Sequence, residues 1–100
     1  MRRYINILQD NNLNDNEFRT IQNAREDLVG ELEAIIQYSN HLRQTSSLSS
    51  QITTRSIMEE EQVDVGELMA LLFKLDPGFK ERFDKGVKEF NERLAINTRN

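Results

Sequence analysis

The stretch "QITTRSIMEEEQVDVGELMALLFKLDP", residues 51–77, decides the fold. Apolar residues recur at Ile57, Val65, Leu68, Leu71, Leu72 and Leu75, which is the spacing of a helix face and not the alternation of a strand. The run stops at Pro77, because proline has no N–H for the helix ladder and restricts the residue before it. Five acids, Glu59, Glu60, Glu61, Asp64 and Glu67, interrupt the pattern. At about 100° per residue, and with Leu68 as the origin, Glu61 falls at roughly 20° and Asp64 at roughly 40° on the other side. Both lie inside the apolar stripe and are expected to point into the core, whereas Glu59 faces water and Glu60 and Glu67 lie at the margin.

The neighbouring segments extend the same reading. Asn14 or Asp15 can cap a first helix, and Glu17, three residues past Asn14, suits a capping box. That helix runs to about Arg43. The small hydroxylated residues of "QTSSLSSQ" compete for backbone hydrogen bonds and end it. The second helix then covers about 48–75. Asp76 caps a third helix with Pro77 at its first position. Phe79, Phe83, Val87, Phe90 and Leu94 form one stripe on it. The expectation is an all-α chain. Residues 1–14 form an arm, 15–96 an antiparallel two-helix hairpin with a third C-terminal helix, and 97–100 a disordered tail. A lone hairpin has nothing to bury its apolar face against, so two copies should pair into a four-helix bundle.

Composition narrows the chemistry. The 100 residues suit one small domain, and 37% hydrophobic with 30% charged content reads as soluble. Cysteine is absent and there is one histidine, which excludes disulfides, thiolate metal sites and multi-histidine clusters within a chain. The net charge of −4 argues against nucleic acid as a partner. No apolar run is long enough to cross a membrane. A signal-peptide pattern is lacking in "MRRYINILQDNN", so the expected location is the cytoplasm.

The first helix carries a matching oddity. With Leu28 as reference, its stripe contains Ile21, Ala24, Leu32, Ile35 and Leu42. Glu31 and Tyr38 fall on the edge, seven residues apart, while Glu33 and His41 lie off it. A carboxylate taken out of water must be protonated, paired or bound to a cation. Arg25 and Arg55 are the cations nearest in sequence that could pair with these acids. Gly30 and Gly66 stand beside the acids and could let another helix approach.

"GELEAIIQY" and "EEEQVDVGEL" together resemble the half-length members of the ferritin-like superfamily, the encapsulated ferritins and their rubrerythrin-like relatives, over roughly residues 26–76. In ferritin-like di-iron bundles one Glu comes from each of two helices and a Glu-x-x-His pair from each of the other two. The resemblance implies that Glu31, Glu61 and Asp64 are metal ligands at a site formed between two subunits, that Glu61 bridges, that Tyr38 is a hydroxyl near the metal and that Glu33 lies near the ion entry path. It implies iron as the metal, with manganese and calcium as alternatives. It also implies ferroxidase or iron-storage activity in a homodimer or a multiple of dimers, packaged inside an encapsulin shell. The family's histidine is Asp64 here, which removes an imidazole, adds negative charge and favours oxygen-loving ions. The alternative is a helical oligomerisation module that has lost the di-iron chemistry.

Overall fold

The computed structural model describes residues 14–98; all of the expected arm, residues 1–14, except Asn14 lies outside them, as do Arg99 and Asn100. Three helices follow one another: α1 (Asp15–Gln44), α2 (Leu48–Leu75) and α3 (Pro77–Thr98). There is no strand among the described residues. α3 runs two residues into the span expected as a tail.

Each helix starts where the sequence supplies a cap. The Asn14 side chain accepts the Glu17 backbone N–H at 2.9 Å, while its own amide donates to the Glu17 carboxylate at 3.1 Å. Asp15 and Glu17 place negative charge at the positive end of α1, and His41 and Arg43 sit in its last turn. Ser47 caps α2 by accepting the Ser50 N–H at 3.4 Å. The Gln51 side chain donates to the Thr45 carbonyl at 3.0 Å and so ties the connection down. Asp76 closes α2 with its N–H on the Leu72 carbonyl at 2.8 Å and opens α3 by accepting the Phe79 N–H at 3.1 Å.

A three-residue connection forces α1 and α2 to run back along each other. The contacts confirm the antiparallel sense: Arg25 meets Asp76, and Ser39 donates to the Met58 sulfur at 3.2 Å. As the residue number falls on one helix it rises on the other. Thirty residues at about 1.5 Å each make α1 about 45 Å long. Along that length the fully buried core is only Ile21, Ala24 and Leu72, with Leu28, Leu75 and Phe79 packed against it. This core sits at the open end of the hairpin, where α3 departs.

α3 is attached there by aromatic stacking and one ion pair. Phe73 of α2 lies 5.6 Å from Phe79 and 5.1 Å from Phe83, ring centre to ring centre. Arg25 reaches Asp76 at 3.4 Å. Beyond Lys80 every described α3 side chain is exposed. The stripe expected to pack therefore divides: Phe79 and Phe83 stack on Phe73, whereas Val87, Phe90 and Leu94 are exposed among the described residues.

The hairpin stripes are likewise only partly covered. Leu32 and Leu71, both expected in the core, are 47% and 42% exposed. Two helices can cover only one side of each other, and a residue at the edge of the shared seam keeps contact with water until a further layer arrives. The whole chain exposes 8293 Å², against about 5900 Å² for a compact monomer of this mass. Its radius of gyration is 18.1 Å, against about 13 Å for a compact chain of 100 residues.

Candidate metal centre

Glu31 sits in the middle of α1. Glu61 and Asp64 sit one turn apart on α2 at i, i+3, which places them on one face. The antiparallel pairing brings the two segments level. One carboxylate oxygen from each of the three residues lies within 4.8 Å of the others. The three acids expected from sequence therefore meet within a single chain.

Their burial differs from the expectation. Glu61 and Asp64 are half-buried, as is Glu31, and no charged residue is fully buried among the described residues. The site lies on the flank of the hairpin and not in its core. The hairpin is too thin to have an interior at this level: the residues that would close over the carboxylates would have to come from outside the described residues.

One atom stands apart. Glu31 Oε2 is shielded from water and has no hydrogen-bond partner among the described residues. Shielding a carboxylate oxygen without a partner costs free energy, so such an atom calls for a proton or a cation. The two candidate side-chain cations are engaged elsewhere or distant. Arg25 bonds Gln22 at 2.7 Å and Asp76 at 3.4 Å. Arg55 lines a separate groove with Leu48 and Glu59. The described ion pairs are Arg25–Asp76 and Lys80–Asp84, and neither involves the three acids.

The separation suits a metal ion. Carboxylate oxygens bind Mg²⁺ at about 2.1 Å and Ca²⁺ at about 2.3–2.6 Å, so two ligands on opposite sides of one ion stand about 4 to 5 Å apart. Three oxygens within 4.8 Å can touch one such ion with only small side-chain adjustment. An all-oxygen donor set favours hard cations over zinc.

The site opens into a groove of about 560 Å³ lined by Glu26, Asp27, Gly30, Glu31, Asp64, Glu67, Leu68 and Leu71. Glu26 and Asp27 were not singled out from the sequence, although Asp27 is one helical turn before Glu31. Glu67 is one turn after Asp64 and was placed at the margin. The i, i+3 and i, i+4 spacing from each expected ligand was the available signal. Gly30 forms part of the groove floor, and a Cβ there or at Gly66 would meet nothing within 4 Å.

Tyr38 and His41 sit farther up α1. Their rings pack edge to face at 6.2 Å. Tyr38 is half-buried and lies two turns from Glu31, and it is not among the residues lining the groove. His41 and Glu33 are exposed, as the wheel placed them. No helix among the described residues is long and apolar enough to cross a membrane. No protein-family model, curated protein or solved structure matches the chain.

Proposed function

We propose that this chain binds divalent metal ions through Glu31, Glu61 and Asp64, and that two hairpins pair over this face into a ferritin-like four-helix bundle. The observation that carries the reading is the meeting of three carboxylates within 4.8 Å around a shielded, unpartnered Glu31 oxygen. Pairing would place a second set of three acids opposite the first and give the exposed Leu32 and Leu71 a cover. Iron is the metal that best fits the likeness of "GELEAIIQY" and "EEEQVDVGEL" to ferritin-like sequences, with Mn²⁺ and Ca²⁺ as alternatives. In that role Fe²⁺ is the substrate: it is held by the carboxylates and gives one electron per ion to dioxygen, or is stored without oxidation. Glu26, Asp27 and Glu67 raise the local concentration of cations at the mouth of the groove.

A second reading is a helical oligomerisation module without iron oxidation. Asp64, standing where the ferritin-like pattern has histidine, favours it, because two imidazoles per dimer would be missing from the iron environment.

Equilibrium dialysis against Mn²⁺, followed by metal quantitation, tests the first reading. The expected result is retained metal in the wild type and its loss in Asp64→Ala. Metal-free protein after dialysis would leave the oligomerisation module as the better account.

A further inference from the structure

α2 is apolar on two sides. Opposite Leu68, within about 40° at 100° per residue, lie Leu48, Ile52, Val63, Gly66, Ala70 and Phe73, with Arg55 and Glu59 the two charges among them. This outer stripe faces away from the carboxylates. Leu48 is 70% exposed, and Ile52 and Val63 are each 62% exposed. A shallow groove of about 290 Å³ runs along its first half, lined by Leu48, Ile52 and Glu59 among others. A helix that is apolar all round is normally surrounded by other elements.

The chain shows what fits the far end of this stripe. Phe73, its last member, is covered by Phe79 and Phe83 of α3. The same α3 stripe continues through Val87, Phe90 and Leu94, but α3 has by then left its own α2, and these residues are bare. The bare part of α3 and the bare part of α2 therefore share one chemistry.

We infer that the outer face of α2 is an interface occupied by α3 of a second copy of this chain, and that each copy gives its α3 to the other. Charge supports this choice of occupant. Residues 14–76 hold twelve acidic and five basic side chains, whereas α3 holds four acidic and five basic ones. A weakly basic helix is drawn to the acidic hairpin, whereas two α3 helices gain nothing from charge. Reciprocal exchange makes the contact self-complementary and closed. None of the three carboxylates takes part in it.

The test uses two charge insertions on exposed positions, Val63→Glu on α2 and Phe90→Glu on α3, each in the full chain. Mass in solution is measured by light scattering for the wild type, each variant and their equimolar mixture. The wild type should be a multiple of 11.7 kDa. Each variant alone should lose the same step of mass, because each spoils both reciprocal contacts. Mixing should recover mass, because the intact α3 of one variant meets the intact α2 of the other. Far-UV helicity checks the fold, and Val63→Ser with Phe90→Ser replaces any variant that loses it. A single-copy wild type, a variant that keeps the wild-type mass, or a mixture that fails to recover would overturn the interface. The Mn²⁺-induced rise in unfolding temperature should survive in Val63→Glu. Its absence from the wild type as well would count against the metal reading and leave the α3 interface standing.

Discussion

Glu61→Gln should make the metal-free protein more stable and remove its response to divalent cations. Glu61 lies within 4.8 Å of both Glu31 and Asp64. Between two ionised carboxylates at that distance, the repulsion is about 0.9 kcal/mol in a water-like dielectric and about 3.5 kcal/mol at an effective dielectric of 20. All three side chains are half-exposed, so the lower figure applies. Screening at physiological salt, where the Debye length is about 8 Å, removes close to half of it. Neutralising Glu61 relieves two such pairs, a gain of about 1 kcal/mol. For a domain of this size, that corresponds to a rise in unfolding temperature of about 4–8 °C. The glutamine keeps the shape of the side chain, so packing changes little. Metal separates the two proteins. At a hundred times its dissociation constant, an ion stabilises the wild type by about 2.7 kcal/mol and should leave the variant unmoved. Differential scanning calorimetry, with and without Mn²⁺, reads both effects. Raising the salt to 1 M shortens the Debye length to about 3 Å and should erase most of the apo gain. A variant less stable than the wild type without metal, or one that still gains from Mn²⁺, would refute the electrostatic reasoning.

Other substitutions probe the rest of the molecule. Leu72→Ala empties the most deeply buried position and should cost about 2–5 kcal/mol, read by urea unfolding. Asn14→Ala removes the cap on the Glu17 N–H and should cost about 1 kcal/mol in the same assay. Asp76→Ala should cost more than Arg25→Ala, because Asp76 both pairs with Arg25 and caps α3, whereas a half-exposed ion pair alone contributes about 0–1 kcal/mol. If the protein oxidises Fe²⁺, Tyr38→Phe should slow the absorbance change while His41→Ala leaves it unaltered; a slowed His41→Ala would reassign the α1 face.

Much of the helical framework was legible because its signals are local. Asn14 with Glu17, the serine-rich connection and the Asp76–Pro77 pair mark helix ends through hydrogen bonds a few residues long. Glu31, Glu61 and Asp64 were grouped by the resemblance, at a site shared by two subunits; within one chain it is the short connection, by fixing the register of the antiparallel pair, that brings them level. What the wheel missed was depth. It gives direction but not distance to the next layer, so Leu32, Leu71, Glu61 and Asp64 were placed in a core that the described residues do not form. Asp27 was passed over because it flanks the stripe and Glu26 because the wheel puts it on the far side of α1, although both line the groove. The divided stripe of α3 was not legible either, since a period of 3.6 reports an apolar face without saying which chain covers it.

Native mass spectrometry of the full chain, equilibrated with Mn²⁺ or with Fe²⁺ under anaerobic conditions, tests the central claim most directly, because it counts copies and ions together. The account predicts an even number of 11.7 kDa chains carrying bound metal, and the same assembly without metal when Glu31 is replaced by Gln. A single chain, or a wild-type assembly free of metal, would contradict it.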